Sequence, residues 1–466
     1  MTTIRLFLAI ILLLTLWGNA SAGVAILFEP GKATGPVVLP HLQNKGLIAE
    51  FLDPGNTGLG KSLAYLLWRE VLTAISDQAG AGVILAHKQG EFRIVDMLKE
   101  DYHMAAIEVA KYHQAPMVLW GEVQEQAGRI FLYSYITLLP ELQGSDLFMR
   151  ISYQKRPLPG FETEIPRSRF NFTLIEADRK EFFDRPLIVR TAKAMLRTRP
   201  GETAPLKGQV PKNTVLNGID MDGPWFQVQQ PDGSTAFVNM DEVEVPPRWI
   251  EASAYKVALR EGPGTDQKIV KRKDLAGTFK VLDMRYRPGH GLWYRFNVDG
   301  TNVWVNGSQV RPRFSLPAVH FMAGLYRFQA KRFRDAAQEF SQFIRAPGLK
   351  EKNTNLATAY QFKGASELMG EISRDLQPFT QAVSLTPYDP AAYNLRGLAS
   401  LGVTFSLDMA LRDLEQALKI DMLNDRSRSL ARAFRSFASR PIEGFSVSPK
   451  NREDLNRIWT EFRIEK

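Results

Sequence analysis

Leu196-Arg197-Thr198-Arg199-Pro200-Gly201 and Leu259-Arg260-Glu261-Gly262-Pro263-Gly264 are two copies of one pattern in the middle of this chain. Each copy leads into an aromatic run and then into an Asp-Gly pair, Asp232-Gly233 in the first and Asp299-Gly300 in the second. Asp-Gly between two β-rich runs predicts a hairpin in which both central residues adopt positive φ. Repeated short strands with closely spaced turns are typical of a small all-β barrel, so the sequence predicts two such modules in tandem.

The aromatic runs supply the candidate binding residues of these modules. Trp225-Phe226-Gln227-Val228 and Ala236-Phe237-Val238 correspond to Trp293-Tyr294-Arg295-Phe296 and Val303-Trp304-Val305. The pattern resembles the bacterial SH3-like domain of secreted envelope proteins, over residues 187–246 and 250–312, although Phe237 stands where the family usually has Trp. The resemblance implies binding rather than catalysis, with exposed rings that hold an extended ligand. The candidates are Trp225, Phe237, Trp293, Tyr294 and Trp304. For Trp293 and Trp304 the alternative is a place in the core.

The amino terminus has the pattern of a signal peptide over residues 1–22. Arg5 precedes an apolar run that extends to Trp17, and Ala20-Ser21-Ala22 predicts cleavage after Ala22. The run is shorter than the ~20 residues of a spanning helix; the alternative is an uncleaved anchor. The sequence therefore predicts a periplasmic or secreted protein. Because the chain has no cysteine, it has neither a disulfide nor the attachment point of a lipoprotein.

The charge of the chain indicates the chemistry of its partners. Its formal net charge is +9 and its pI is about 9.4. This modest and evenly spread surplus suits anionic envelope polymers or lipid headgroups, and it does not predict nucleic-acid binding.

Residues 23–184 alternate between strand and helix patterns. We expect strands over 24–28, 83–86, 117–123 and 129–136, and helices over 60–76 and 104–113. The order predicts a small α/β sandwich. It resembles the domain shared by the amino terminus of TolB and by flagellar and curli envelope proteins, most clearly at Gly58-Leu59-Gly60-Lys61-Ser62-Leu63 and Leu119-Trp120-Gly121-Glu122-Val123. The resemblance implies docking or oligomerisation; residues 145–184 do not fit it.

A P-loop pattern within this part is interpreted as a decoy. Gly55-Asn56-Thr57-Gly58-Leu59-Gly60-Lys61-Ser62 matches G-x-x-x-x-G-K-[ST], in which Gly55, Gly60, Lys61 and Ser62 would hold a phosphate and its magnesium ion. Pro54 argues against a buried strand directly before the loop, and no Walker-type acid follows. We therefore interpret the segment as a Gly-rich turn before a helix, and we expect no nucleotide cofactor.

Beyond Pro317 the pattern becomes helical. Gly324, Ala336 and Phe340 stand at the offsets of the close-packing positions of a tetratricopeptide repeat, and two less regular units follow within 317–440. The resemblance implies a stack whose first helices line a concave binding face. The candidate partner-binding residues are His320, Arg327, Gln361, Lys363, Asn394 and Arg396. Their cations favour an acidic or carboxylate-ended peptide. The alternative is that this face packs against the chain's own SH3-like pair.

A two-sided helix over 427–439 ends the helical part. Leu430, Phe434 and Phe437 lie on one face, and a row of arginines lies on the other. This pattern predicts a helix that caps the repeat stack, or alternatively a basic helix in peripheral contact with a membrane. The tail over 441–466 has no assigned structure.

The sequence offers no complete catalytic motif. There is no cysteine nucleophile and no G-x-S-x-G elbow, and the six histidines have no metal-ligand spacing. His103 with Asp101 is the nearest approach to a site. We therefore expect no catalytic residue and no bound metal, although carboxylates that meet only in the fold stay open.

These observations predict a multi-domain chain of α/β, all-β and all-α parts that works by binding. The expected function is a non-enzymatic envelope scaffold that contacts peptidoglycan or envelope proteins. One alternative is a structural component of a flagellar or secretion ring. A cell-wall hydrolase is the other alternative, disfavoured by the missing motifs.

Overall fold

A computed structural model describes residues 24–26, 44–75, 78, 80–86, 102–140, 142, 147–153, 156–165, 169–287, 291–346, 351–405, 407–441 and 447–464. The predicted signal peptide and Asp101 lie outside these residues. Within them the chain combines several β-sheets with helices, in the predicted order of an α/β part, a β part and a helical part. No helix in the described ranges is long and apolar enough to cross a membrane.

The amino-terminal part is built on a mixed sheet. Its strands are β1 (Val24–Ile26), β2 (Asn44–Ala49), β3 (Ala81–Ala86), β4 (Met117–Gln126), β5 (Arg129–Leu138), β8 (Arg169–Asn171) and β9 (Ile175–Asp178). Between β5 and β8, the strands β6 (Phe148–Tyr153) and β7 (Arg156–Glu164) form a separate hairpin. The sheet order is β1-β3-β2-β4-β5, and β8 and β9 both pair with β5. Strands β1 to β4 run parallel, whereas β5 returns antiparallel to β4. The sequence analysis did not predict β2.

Two helices cover the two faces of this sheet. Helix α1 (Leu59–Ile75) packs its apolar stripe on one face, and α2 (Tyr102–Tyr112) packs on the other. Strand β3 is buried along its whole length between them. This is the environment that parallel strands require, because their crossover helices lie on the faces of the sheet.

A short helix, α3 (Arg179–Phe183), leads into the first β module. Its strands are β10 (Arg185–Val189), β11 (Lys193–Arg197), β12 (Leu206–Pro211), β13 (Val215–Asp222), β14 (Trp225–Gln229), β15 (Thr235–Asn239) and β16 (Val243–Glu244). They form an antiparallel sheet in the order β12-β11-β15-β14-β13-β10-β16. Asn239 caps a 3₁₀ turn, Met240–Glu242, between the last two strands.

The second β module repeats this arrangement. Its strands are β17 (Trp249–Arg260), β18 (Ile269–Lys280), β19 (Asp283–Arg287), β20 (Gly291–Val298), β21 (Thr301–Asn306) and β22 (Arg311–Arg313). Asn306 caps the equivalent 3₁₀ turn, Gly307–Gln309. The strand register repeats as well, because Arg197 lies opposite Phe237 and Arg260 lies opposite Trp304.

The two Asp-Gly turns differ. In the second module Asp299 and Gly300 have φ of 52° and 80° and join β20 to β21 directly, as predicted. In the first module only Gly233 has positive φ, so the predicted turn is wrong there. The pairing of β14 with β15 ends at Gln229 and Thr235, which leaves a longer loop. Asp232 instead accepts hydrogen bonds from the backbone and hydroxyl of Ser234, a local Asx turn.

Eight helices form the carboxy-terminal part of the described chain. They are α4 (Pro317–Gln329), α5 (Phe333–Arg345), α6 (Asn353–Met369), α7 (Gln377–Leu385), α8 (Pro390–Thr404), α9 (Leu407–Ile420), α10 (Asp425–Ser439) and α11 (Pro449–Glu461). In two helix pairs, a glycine of the first helix packs against an aromatic ring of the second. A Cβ on Gly324 would lie 2.8 Å from Phe340, and one on Gly364 would lie 2.7 Å from Phe379.

One apolar core runs through most of the molecule. It joins Leu63 of α1, Phe161 of the β6–β7 hairpin, Phe226 of the first β module and Phe321 of α4. The second β module has a core of its own, to which the first module contributes Ile188. The parts that the sequence separates are therefore packed together in space.

Candidate functional site

The aromatic residues predicted to bind a ligand are covered by the fold. Trp225, Trp293, Tyr294 and Trp304 are 7%, 1%, 2% and 7% exposed, and only Phe237 is half-buried. Neighbours on a strand point to opposite faces, so the burial of both Trp293 and Tyr294 shows that β20 is covered on both sides. The core alternative therefore describes Trp293 and Trp304, and the predicted ring-lined surface is not present at these residues.

Tyr294 lies near the junction of the two β modules. Burial, with the carboxylate of Glu244 in the first module as a smaller contribution, raises the pKa of its hydroxyl. Burial likewise raises the pKa of Glu244. Nearby, Arg285 donates to the side chain and the backbone carbonyl of Asn213, at 3.2 and 2.6 Å. These contacts indicate a fixed junction between the modules.

The arginine of the repeated Leu-Arg motif has the same role in both copies. Arg197 donates to the carbonyl of Ala204 at 2.7 Å, and Arg260 donates to the carbonyl of Gln267. Each guanidinium thus closes the loop that follows its own strand. The two arginines of the repeated motif therefore have a structural role, because their guanidinium groups are engaged within the chain.

The P-loop-like segment is an interface inside the chain. Asp53 accepts from the Thr57 hydroxyl at 3.1 Å, and its carboxylate lies 3.5 Å from the Gly60 amide at the start of α1. Ser62 donates to the Gly58 carbonyl and accepts from the Gly223 amide at 2.9 Å.

The turn between β13 and β14 packs against this loop, with Gly223 beside Ser62 and Lys61. A Cβ on Gly223 would lie 3.3 Å from the Lys61 side chain, so Lys61 extends along that turn. The structure does provide a β-type contact before the loop, a parallel bridge between Leu52 and Glu122, which the argument from Pro54 missed. A phosphate would nevertheless meet the carboxylate of Asp53 and the docked turn, so the geometry favours a structural role for Gly55, Gly60, Lys61 and Ser62.

The predicted partner-binding residues of the helices are engaged within the chain. His320, Arg327, Gln361 and Asn394 are at most 8% exposed, and Lys363 and Arg396 are half-buried. The structure shows the following contacts for them: His320 to Glu339 at 2.9 Å, Arg327 to the Ala74 carbonyl at 2.6 Å, Lys363 to Glu367 at 2.6 Å, Asn394 to Ser427 at 2.8 Å, and Arg396 to both oxygens of Asp413. The expected cationic face is thus neutralised by the chain's own carboxylates.

The inner side of the helices is occupied by the amino-terminal part. Tyr326 of α4 donates to the Gly82 carbonyl in β3 at 2.7 Å. From the β6–β7 hairpin, Phe161 packs on Phe434 and Phe437 of α10, and Glu164 pairs with Arg426. The expected peptide site therefore needs correction. This face is an internal interface with the α/β part, whereas the alternative named the β modules.

The basic face of α10 is partly covered by α11. Arg428 donates to the carbonyls of Phe462 and Arg463, and the Arg435 guanidinium lies 4.0 Å from the centre of the Trp459 ring. Both Phe462 and Trp459 belong to the α11 segment, which the sequence left unassigned. Arg432, the third arginine of this face, is exposed. Two of the three arginines that would contact a membrane are thus used inside the chain, which favours the interpretation of α10 as a packed helix.

The sequence analysis missed a buried polar joint between three parts of the molecule. Arg185 of β10 and Glu70 of α1 are fully or almost fully buried, and Arg185 Nη1 donates to Glu70 Oε1 at 3.3 Å. Arg185 also donates to the Phe182 carbonyl at 2.9 Å and to the Ser315 hydroxyl at 3.2 Å. The Ser315 amide, just before α4, donates to the other oxygen of Glu70 at 2.9 Å. We call Glu70, Arg185 and Ser315 the buried joint.

A second ion pair lies beside the buried joint. Arg69 donates to Asp241 at 2.8 Å and to the Met240 carbonyl at 3.1 Å, which ties α1 to the 3₁₀ turn of the first module. Burial lowers the pKa of Arg69 to about 10, so the guanidinium keeps its charge at neutral pH. Together these contacts hold the first β module and α4 on α1.

His103 belongs to a closed aromatic cluster. The Trp120 ring stacks on Tyr135 with centroids 4.2 Å apart and on His103 with centroids 5.0 Å apart. Trp120 Nε1 donates to the Thr137 hydroxyl, which also lies 3.1 Å from His103 Nε2. The Arg169 guanidinium lies 5.2 Å from the centres of both stacked rings. These residues contact one another, and Trp120 is only 5% exposed. Among the described residues, no three acidic or histidine side chains form a group that could hold a metal ion.

Comparisons with known proteins leave the family of this chain open. No protein-family model matches it, and no curated protein does. Solved structures of NlpC2 and NlpC1 from Trichomonas vaginalis are similar to part of the chain, with 10% and 11% sequence identity and TM-scores of 0.16 and 0.15. Each alignment covers 28% of this chain and about half of the other, 48% of NlpC2 and 46% of NlpC1. Scores this low do not establish a shared fold.

Proposed function

We propose that this chain is a non-enzymatic scaffold of the bacterial envelope, exported by the segment 1–22. In this proposal the two β modules, which resemble SH3-like domains, bind peptidoglycan or an envelope protein. The helices, which resemble tetratricopeptide repeats, hold a second protein partner. The observation that carries the proposal is the buried joint of Glu70, Arg185 and Ser315.

The buried joint supports a scaffold because it fixes the orientation of the parts that it connects. Removing one partner of a buried ion pair leaves an unpaired charge in the core, at a cost of about 3–5 kcal/mol. Rotation of the first β module or of α4 away from α1 would break the joint and open the shared core. A rigid frame of this kind holds two partners at a set distance, which is what a scaffold must do.

The proposed contacts with partners lie on the exposed parts of the chain. Since the predicted rings are covered, the β modules would bind through their outer strands and loops. The helical part would bind through its outer loops, where Tyr388 and Leu423 are 86% and 72% exposed. Tyr388 lies in the loop that follows α7, and Leu423 lies in the loop that follows α9.

A sedimentation assay with isolated sacculi tests the proposal. The purified mature chain should sediment with sacculi in moderate salt, and a soluble control protein of similar pI should stay in the supernatant. Crosslinking in cells should recover envelope proteins. If the chain neither sediments with sacculi nor crosslinks to an envelope protein, the scaffold proposal is wrong. Recovery only within one large complex would favour a ring component, and clearing of a peptidoglycan zymogram would favour a hydrolase.

A further inference from the structure

The second β module has a long strand at the free edge of its sheet. Strand β18 (Ile269–Lys280) pairs with β17 along its length and with no other strand in the described part of the chain. Of its 12 residues only Leu275 is buried. The outer edge therefore presents a row of backbone donors and acceptors that no described strand satisfies, which is a template for another extended chain.

This edge carries a surplus of positive charge. Between 268 and 280 the sequence has Lys268, Lys271, Arg272, Lys273 and Lys280, against a single carboxylate. Lys268 is paired with Glu261 at 3.1 Å and Lys280 with Asp184 at 2.5 Å, so the surplus lies in the middle of the strand. A single carboxylate, Asp299, forms ion pairs with both Lys271 at 3.5 Å and Lys273 at 2.8 Å. Arg272 is exposed and has no ion-pair partner among the residues that the structure describes. The uncompensated charge is thus centred on Lys271, Arg272 and Lys273, and there it is complementary to an acidic ligand.

The first β module provides an internal comparison. Its strand β12 occupies the same place, at the end of the sheet beside β11, but it has only 6 residues and ends at Pro211. Its one lysine, Lys207, folds back onto the Ser234 hydroxyl and the Thr235 carbonyl, at 2.9 and 2.8 Å. Short length and a proline are how proteins block unwanted pairing at a sheet edge. The first module has both devices and β18 has neither.

Lysines alone also protect an edge, so charge by itself does not imply a ligand. Two apolar side chains on the same hairpin argue for one. Val270 of β18 is 44% exposed, and Tyr255 of β17 is 72% exposed with Lys256 beside its ring. An edge that only repels other strands gains nothing from such apolar contacts.

We propose that β18 is a docking edge for an extended acidic segment of a partner protein, which adds to the sheet as a further strand. Side chains alternate along a strand, so Lys271 and Lys273 flank one face of the added segment while Val270 and Arg272 flank the other. Acidic residues at alternate positions of the segment would face the two lysines, and backbone hydrogen bonds would hold it in the extended form. This inference rests on the binding role proposed above and assigns it to one edge.

A synthetic peptide tests the inference on the full mature chain. The probe is a fluorescent, end-capped peptide of about eight residues, a common strand length, that alternates Glu with Thr. We expect binding by anisotropy at about 0.15 M salt. The variant Lys271→Glu/Arg272→Glu/Lys273→Glu should weaken it about tenfold, since each lost pair is exposed and modest. The matched variant Lys207→Glu, at the edge of the first module, should leave it unchanged.

The backbone part of the inference needs its own probe. The same peptide with N-methyl groups at alternate residues keeps its charge but loses the donors that pair with an edge, so its binding should be lost. The proposal would be overturned if the methylated peptide bound as tightly as the unmethylated one. It would also be overturned if Lys207→Glu weakened binding as much as the triple variant does. If the unmethylated peptide fails to bind while sacculi are still captured, this inference is wrong and the scaffold proposal stands. Sacculus capture that is lost in the triple variant, without peptide binding, would assign the edge to a cell-wall polymer.

Discussion

Glu70 lies on the apolar stripe of α1, one turn after Leu66 and two turns after Leu63. An acidic residue on a buried stripe is rarely left without a partner, because an unpaired charge in the core is costly. Here the partner is Arg185, with the amide and hydroxyl of Ser315 completing the carboxylate's hydrogen bonds. The misplaced charge in the helix pattern was the signal in the sequence that a buried joint existed. Its partners lie far away along the chain, so the pattern could not name them.

Replacing Glu70 with Ala should destabilise the protein strongly. The change leaves Arg185 charged and buried without its carboxylate, so the free energy of unfolding should fall by about 3–5 kcal/mol. Urea unfolding followed by circular dichroism measures the loss. The matched control is Glu261→Ala, which breaks the exposed pair with Lys268 and should change the stability by less than about 0.5 kcal/mol.

A double variant separates the cost of the unpaired charge from the value of the pair. Glu70→Leu with Arg185→Met removes both charges, and it should be clearly more stable than Glu70→Ala, because apolar residues of similar volume often replace buried pairs well. If Glu70→Ala is no less stable than Glu261→Ala, the buried joint does not have the role assigned to it.

Gly46 of β2 lies where the sheet and helix α4 approach each other closely. A Cβ there would lie 2.3 Å from the Tyr326 hydroxyl and 2.7 Å from Met322. Gly46→Ala should therefore lower the stability by about 1–3 kcal/mol through overpacking, as measured by urea unfolding. Gly208→Ala is the matched control, because a Cβ at that edge-strand position meets no atom within 4 Å. Equal stability of the two variants would show that Tyr326 and Met322 of α4 move away from β2 at little cost in free energy.

At the scale of elements, local pattern predicted most of the amino-terminal helices and strands. The apolar period predicted a helix over 60–76, and α1 spans Leu59–Ile75. The predicted strands over 83–86, 117–123 and 129–136 lie within β3, β4 and β5. Gly324 faces the Phe340 ring that its spacing indicated, whereas Gly397 meets Asp413 and Ala410 instead of a ring. These elements were predictable because each buries a regular face that its own sequence displays.

Elements whose burial depends on distant partners were not predictable. The β6–β7 hairpin lies in the region that fitted no pattern, and its Phe161 is buried by Phe434 and Phe437 of α10. The candidate sites failed for the same reason. Trp293 looks like an exposed ring in a short strand, and only the assembled module shows that both faces of β20 are covered. Local sequence reports the period of an element but not what packs on its second face.

The docking of α11 on α9 should weaken in acid. Hydrogen bonds from Arg457 hold the pKa of Glu415 down at about 2, below its ordinary value of 4.5. A depressed carboxyl pKa stabilises the folded state above the ordinary pKa, and the stabilisation is lost as the pH falls from about 4.5 through about 2. The effect should be at most about 1 kcal/mol, because the pair is partly exposed.

The pH dependence of unfolding for Glu415→Gln tests this prediction. The variant should be less stable than the parent at pH 6, and the difference should vanish as the pH approaches 2. The control is Glu162→Gln, whose exposed pair with Arg150 lies away from these helices. A difference between Glu415→Gln and the parent that persists unchanged to pH 2 would contradict the assignment.

At the scale of the whole molecule, the cores do not follow the order of the sequence. One core joins the α/β part, the first β module and the helices, whereas the second β module has a separate core and meets the first through contacts such as Arg285 with Asn213. The two copies of the tandem repeat are thus packed differently in the molecule. One copy is built into the frame, and the other has a core of its own and an edge strand, β18, that pairs on one side only. Under the scaffold proposal, the first copy belongs to the rigid frame and the second copy is the one that binds a partner.

Hydrogen exchange tests that division directly. In Glu70→Ala, amides of β3, β14 and α4 should lose protection by the same free energy, because they share one core and the variant breaks the joint between them. Amides of β20 should lose less, since the core of the second module is separate. Mass spectrometry of peptides from the four elements measures each loss, with Glu261→Ala as the control. If β3 alone loses protection while β14 and α4 keep theirs, the three parts unfold independently. The rigid frame on which the scaffold proposal depends would then not exist.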